Sequence, residues 1–316
     1  MQKGIGKIMY DNKGYTVYEK RVLSSNGVNE LVGKVYRPLG QIRGYFHVVH
    51  GMTEYIGRYD SFMRTMAENG YIAFGYDHLG HGNTARNDSE LGFIAERNGD
   101  DLLARDVKVF ADAMVAECGA HPYYLMGHSM GSFVVRMATQ KYITPDKLIV
   151  MGTSGPNPIA GAGLLVCKLI RAIKGPRHIS SLIDNLAFGS YNDHFKDEND
   201  SKAWLTKDLE IRRKYIGDKY CTFKFTVSAM HDLISLNKDC NTDAWFKSVA
   251  KKMPILLTSG EDDPVGDYGK GIRICEKKLK ANDGNVVTKL YANNRHEILN
   301  DSCRDEAIND ILEFIA

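Results

Sequence analysis

Little net charge separates the 41 basic from the 39 acidic side chains of this 316-residue sequence, which leaves a formal +2. With no excess of one sign, a nucleic acid or another polyanion is not the expected partner. Cysteine is sparse too: the six, at 118, 167, 221, 240, 275 and 303, include no C-x-x-C pair and no His/Cys grouping at metal-ligand spacing. They read as mostly buried thiols of a reducing compartment, and neither a metal nor a cofactor is expected. Uninterrupted apolar runs are missing as well. Leu148 to Cys167 carries no charge and has about the length of a membrane span. Pro156, Pro158 and the glycines at 152, 155, 161 and 163 would break a spanning helix near its middle. The start, Met1-Gln2-Lys3-Gly4-Ile5-Gly6-Lys7, has basic residues but no apolar core behind them, which argues against a signal peptide. A soluble, cytoplasmic protein is expected.

What is present is an alternation. Residues 15–23 and 30–37 read as strands around a Ser-Ser-Asn-Gly turn, an antiparallel hairpin at one sheet edge. Apolar strands at 44–50, 71–77, 123–128 and 147–151 then alternate with helical patterns at 58–69, 101–118 and 130–142. In the first of these helices Phe62, Met63, Met66 and Ala67 share one face. Such alternation implies a mostly parallel, doubly wound sheet with right-handed crossovers. It stops at the glycine- and proline-rich connector from Gly152 to Gly163, and roughly 156–245 is rich in helical segments without strands. It resumes with a strand at 253–260, a helix at 271–279, a strand at 285–291 and a final helix from Asp305. The expected organisation is one α/β core, 1–155 and 246–316, interrupted by an inserted helical cap at 156–245.

The strand at 123–128 runs through Gly127-His128-Ser129-Met130-Gly131 into a helix. This Gly-x-Ser-x-Gly between strand and helix reads as a nucleophile elbow, which raises a serine hydroxyl above the sheet on a sharp turn. The chain passes close to itself on both sides, so a side chain at either glycine would clash. Ser129 is the candidate nucleophile. A serine hydroxyl needs a base to take its proton and a third group to orient that base. With an elbow those partners follow in the order Ser, Asp or Glu, His, on loops at the C-terminal ends of strands. His296, the last histidine in the chain, lies after the strand at 285–291 and is the candidate base. The acid falls among Glu261, Asp262 and Asp263 after the preceding strand. The competing reading of that cluster is a solvated turn before Pro264. Oxyanion donors are expected from the backbone N–H of Met130 and, in the His50-Gly51-Met52 turn, of Met52.

Taken together, His50-Gly51-Met52-Thr53-Glu54 with Gly57-Arg58-Tyr59, Asp77-His78-Leu79-Gly80-His81-Gly82, the elbow, Gly260-Glu261-Asp262-Asp263 and the His296 loop resemble the monoacylglycerol lipase and lysophospholipase group of α/β-hydrolases, also listed with serine aminopeptidases. The resemblance covers nearly the whole chain outside the cap and implies an α/β-hydrolase fold. It selects Asp263 as the acid, from a Gly-x-x-Asp pattern. It places Glu54 and Arg58 at the polar, alcohol-side end of a substrate pocket, against the alternative of an ion pair four residues apart. His128, inside the elbow motif, is taken as a third substrate-binding candidate. The Asp77–Gly82 segment is implied to be a structural loop rather than a metal site.

The reaction expected is hydrolysis of a carboxylic ester of a small lipid, monoacylglycerol- or lysophospholipid-like, by Ser129, His296 and Asp263 through an acyl-enzyme. In the cap, Lys168, Arg171 and Lys174 recur every third residue along a helical stretch. They offer a transient contact with a membrane surface, or simply a solvated face. The oligomeric state is not legible. Two rivals stand beside this reading. A peptidase of the same fold needs acidic residues in the cap to hold a substrate amine, with Asp184, Asp193, Asp208 and Glu210 available. A non-catalytic homologue would keep the pocket for a ligand alone.

Overall fold

The computed structural model describes residues 8–12 and 14–316; the basic start at residues 1–7 lies outside them. Tyr15–Leu23 (β2) and Glu30–Pro38 (β3) form the expected antiparallel hairpin, in register from Tyr15↔Pro38 to Leu23↔Glu30. A strand that the sequence pattern did not reveal, Ile8–Asn12 (β1), pairs antiparallel with β2 at the sheet edge. The chain continues through Gly44–Val49 (β4), Asp60–Glu68 (α1), Tyr71–Tyr76 (β5), Gly99–Cys118 (α2), Tyr123–His128 (β6), Met130–Lys141 (α3) and Lys147–Met151 (β7).

A helical excursion then comprises Ala160–Lys174 (α4), Ser181–Phe188 (α5), Leu209–Gly217 (α6), Lys219–Thr222 (α7), Val227–Asp239 (α8) and Asp243–Val249 (α9). Ile255–Gly260 (β8), Lys270–Lys280 (α10), Val286–Tyr291 (β9) and Arg304–Ile315 (α11) complete the chain. α8 packs against α2 and α3 as well as α4, and α9 against α3 and α10.

The nine strands among the described residues lie in the order β1-β2-β3-β5-β4-β6-β7-β8-β9, antiparallel up to β5 and parallel from there on. Adjacent parallel strands need crossovers, and α1, α2, α3 and α10 supply them. Side chains of these strands alternate between two buried layers. Leu125, Leu148 and Val150 join α2, α3, α8 and α10 on one face, while Met126, Ile149 and Met151 join α1 and α11 on the other. The chain leaves β4 toward β5 on one side and returns to β6 on the other. Such a reversal opens a crevice at the carboxyl ends of the strands, where ligands of open α/β sheets bind. The turn beginning His50-Gly51 ends β4, and Ser129 ends β6.

Candidate active site

Ser129 has φ 55° and ψ −123°, outside the regions open to ordinary side chains. A conformation of this kind costs on the order of 1–3 kcal/mol and persists only when its surroundings impose it. Here they do. A Cβ on Gly127 would lie 2.3 Å from the Gly131 carbonyl oxygen, and one on Gly131 would lie 2.1 Å from that of Val49. Only bare glycines let α3 start this close to β4 and β6. Met130 is the first residue of α3, so its N–H is among the donors that a helix start leaves unsatisfied. On the facing turn, a Cβ on Gly51 would come within 2.9 Å of Ser129 Cβ. The turn that carries Met52 therefore packs directly against the serine.

Asp263 and His296 are buried and hydrogen-bonded, with Nδ1 of the ring 2.9 Å from Oδ2. The same oxygen accepts from Ser259 Oγ at 2.8 Å, and Oδ1 accepts from the Val265 N–H at 2.9 Å. Burial alone would raise the Asp263 carboxyl. The charge and hydrogen bond of His296, with the donors from Ser259 and Val265, hold it below the ordinary carboxylate value. With Nδ1 donating to the carboxylate, the other ring nitrogen is left to act on a substrate. Nε2 of His296 is buried and has no partner among the described residues, and Ser129 and His296 line one cavity.

The candidates Glu54, Arg58 and His128 form the floor of that cavity, in a tighter arrangement than a four-residue ion pair. Arg58 meets Glu54 at 3.1 Å, yet its two terminal nitrogens also clamp Glu297 at 2.6 and 2.7 Å. Glu54 Oε1 accepts from the Gly51 N–H at 2.5 Å and from the Tyr59 hydroxyl at 2.9 Å. His128 places Nδ1 3.1 Å from that same carboxylate oxygen and Nε2 3.2 Å from the His296 carbonyl oxygen. Nδ1 also lies 2.9 Å from the Tyr59 hydroxyl, so it can donate to Glu54 or accept from Tyr59. Burial would lower His128, but its hydrogen bond to Glu54 and that carboxylate's charge raise it above the ordinary histidine value. Glu54 responds in kind. Burial opposes its charge, and His128 and Arg58 overcome this to hold it well below the ordinary glutamate value.

Beside the floor, the histidines His50, His78 and His81 are buried and neutral, because burial lowers all three. His50 Nε2 accepts from the His78 N–H at 2.9 Å, and its Nδ1 donates to the Gly51 carbonyl at 2.8 Å. Asp77 accepts from the N–H groups of Ile56 and Asn83, at 2.8 and 2.7 Å. These residues fasten loops to one another. Among the described residues no group of three or more His, Cys, Asp or Glu could hold a metal ion.

The cavity measures about 1040 Å³. Its apolar wall comes from Phe133, Val166, Ile183, Leu186, Leu233 and Ile234. The helical excursion closes over it and is bolted to the His296 loop. Arg295 donates to the Ala203 carbonyl at 2.6 Å and pairs with Glu198, and the Glu297 N–H donates to the Leu205 carbonyl at 2.8 Å. Between these anchors the Trp204 ring stands 5.2 Å from that of His296.

Residues 40–303 match the family Hydrolase_4, described as serine aminopeptidase, S33. The chain belongs to this family. Human monoglyceride lipase is 29% identical over 101 residues, which span 32% of this chain and only 31% of that protein. Mouse monoglyceride lipase is 28% identical over 268 residues, 83% of this chain and 78% of that protein. A thermostable carboxyl esterase from Bacillus coagulans, solved in complex with glycerol, superposes with a TM-score of 0.89 at 27% identity, over 95% of this chain and 97% of the other. This Hydrolase_4 chain is therefore an α/β-hydrolase. No helix among its described residues is long and apolar enough to cross a membrane.

Sequence reasoning passed over Ser259, Tyr59, Glu297 and the cap's Trp204. Tyr59 lies inside the quoted Gly-Arg-Tyr segment and Glu297 directly follows His296, so adjacency to motif residues was the available signal. Trp204 lies in the Ala203–Asp208 segment, which resembles a cap motif of related hydrolases, and nothing local marks Ser259.

Proposed function

We propose that this Hydrolase_4 member is a serine carboxylic-ester hydrolase acting on small lipid esters of the acylglycerol type. The observation that carries the reading is the buried Asp263–His296 hydrogen bond, 2.9 Å long, on the wall of the cavity that also holds Ser129 at its strained elbow. Ser129 Oγ attacks the ester carbonyl while His296 Nε2 takes its proton and then passes it to the leaving alcohol. Asp263 fixes the ring and stabilises its charged form. The N–H groups of Met52 and Met130 hold the oxyanion, and water, activated by His296, releases the acid. Catalytic hydrogen bonds commonly tighten only when substrate is bound, which fits a His296 Nε2 without a partner.

The acyl chain lies along the apolar wall and the alcohol meets the floor of Glu54, Arg58 and His128. The cap over this pocket consists of α4 to α7, with α8 belonging to the core on which it packs. Exposed Leu165, Leu169 and Ile173, the last 81% exposed, give α4 an apolar outer face for transient contact with lipid.

The amine-binding acids required by a peptidase are otherwise engaged. Asp184 pairs with Lys224, Asp193 with Lys196 and Glu210 with Lys214, while Asp208 caps α6. Hydrolysis of p-nitrophenyl esters of increasing chain length, beside an amino-acid anilide, tests the proposal. The expected result is ester turnover that falls at least about a thousandfold in Ser129→Ala, the scale of losing a triad nucleophile. Undiminished turnover in that variant, or anilide cleaved faster than the esters, overturns it.

A further inference from the structure

The proposed base acquires a charge during the reaction. When His296 Nε2 takes the Ser129 proton its ring becomes an imidazolium, and whatever lowers the energy of that charge lowers the barrier. The surroundings pull in both directions. Asp263, 2.9 Å from Nδ1, favours the charge. His128, itself pushed toward its charged form and with its ring 4.7 Å from that of His296, opposes it. Behind His128, Glu54 is taken up by His128 and Arg58. Arg295 and Glu297, on either side of His296 in the chain, are engaged with Glu198 and Arg58. From the cap, the Tyr191 hydroxyl stays neutral because burial raises it. A further neighbour is the indole of Trp204, whose ring centre is 5.2 Å from that of His296.

The backbone on both sides of Trp204 fixes where that indole stands. Ala203 and Leu205, which flank it, accept hydrogen bonds from Arg295 and Glu297, which flank His296, at 2.6 and 2.8 Å. The Trp204 N–H donates to Asn192 Oδ1 at 3.1 Å, and Thr206 Oγ1 donates to the Asn300 carbonyl at 2.7 Å. The two segments are thus locked residue against residue, with the two rings paired between the bonds. Trp204 also meets the Tyr191 ring at 5.0 Å, and Tyr191 meets Phe188 at 5.6 Å. Filling the space beside His296 needs only apolar volume, which a leucine also has. What an indole adds is a π face, the strongest among the aromatic side chains toward a cation within about 6 Å.

We infer that Trp204 is a positioning residue for the proposed base: it holds the His296 ring and stabilises its imidazolium, so that the cap completes machinery otherwise carried by the core. The inference rests on the ester-hydrolase reading and adds a residue to it. Stabilisation of a charge has a pH signature that packing lacks. On the alkaline side of the His296 titration the free enzyme holds a neutral ring and only the transition state carries the imidazolium, so the indole lowers the barrier. On the acid side the free enzyme is charged already. The indole then stabilises both states equally and contributes nothing to the barrier.

The experiment measures kcat/KM for one p-nitrophenyl ester from the acid limb to the plateau, in the unsubstituted protein, Trp204→Phe and Trp204→Leu. The other titrating groups are common to all three, so the ratio of variant to parent at each pH isolates the indole. Trp204→Leu is expected to lose about tenfold on the plateau and to approach the parent in acid, while Trp204→Phe, which keeps a π face, loses no more than about threefold. A deficit by the same factor at every pH, or none on the plateau, overturns the inference. A second measurement requires no substitution of Trp204. The chain has two tryptophans, 204 and 245, and a charged imidazole quenches the emission of an indole beside it. Emission of the unsubstituted protein is expected to rise in a step as His296 loses its proton, and His296→Gln to lack that step. Emission without the step, or the same step in His296→Gln, also overturns the inference. Absence of ester turnover in the unsubstituted protein would sink the hydrolase reading itself, whereas turnover with a pH-independent deficit sinks only the role of Trp204.

Discussion

His128 shows how neighbouring groups can favour a charge that burial opposes. Its ring contacts Glu54 on one side and the His296 carbonyl on the other, so it couples the floor of the pocket to the loop of the proposed base. The pair has a defined pH signature. The folded-state value of Glu54 lies below its ordinary 4.5, so its contribution is fully present above 4.5 and is lost as acid titrates it. That of His128 lies above its ordinary 6.5, so its contribution is fully present below 6.5 and is lost as the pH rises through the raised value. Stabilisation by the pair is therefore greatest between those two values. Glu54→Gln is expected to melt below the unsubstituted protein, with the gap widest in that interval and narrowing at higher pH. Thermal melts across a pH series check this, and a gap that widens with rising pH would contradict it.

At the scale of elements, the elbow is where local preference and tertiary packing disagree. Alanine replacing glycine inside a helix normally stabilises by about 0.5–1 kcal/mol. Gly131, in the first turn of α3, reverses the sign because its Cβ would sit 2.1 Å from a backbone oxygen of β4 that has nowhere to move. Gly131→Ala is expected to cost on the order of 1–3 kcal/mol, the range for overpacking, and to lower ester turnover by displacing Ser129. Calorimetry of the variant reads the sign directly. The core elements were legible because their patterns are local. Strands buried on both faces appear as continuous apolar runs, as in Tyr71–Tyr76, and α1 shows its period in Phe62, Met63 and Met66. β1 was not legible, since five residues at an edge carry too little alternation to stand out. Ser129 and His296 could be named from motif order, whereas Asp263 stood out from Glu261 and Asp262 only through the family resemblance. The floor could be named only in part, because Arg58 reaches Glu297 across 239 residues of sequence. The cap wall depends almost wholly on such distant pairs, including Lys224 with Asp184 and Arg295 with Ala203.

Over the whole molecule, the core supplies the proposed reacting groups and the helical excursion supplies most of the cavity's apolar wall. Ile234 and Leu233 of α8 and Val166 of α4 meet on that wall. Filling the apolar arm should therefore change which ester is cleaved rather than whether one is. Ile234→Trp is expected to shift the best p-nitrophenyl ester to a shorter acyl chain, with its turnover number within about fivefold of the parent, since volume added away from the reacting atoms acts on fit. A chain-length profile unchanged by the substitution would place the acyl group elsewhere.

The excursion leaves the sheet after Met151 and rejoins it at Ile255, yet β7 and β8 are hydrogen-bonded neighbours, with Met151 opposite Thr258. Some hundred residues thus depart from and return to almost the same place, and no strand pairing depends on what they do in between. In evolutionary terms the segment from α4 to α7 is an interchangeable fitting, while α8 and α9 stay with the core on which they pack. A lineage can lengthen, recharge or reshape that segment by insertion and deletion, and so acquire a new diet, while the elbow and the proposed acid and base stay in register on the sheet.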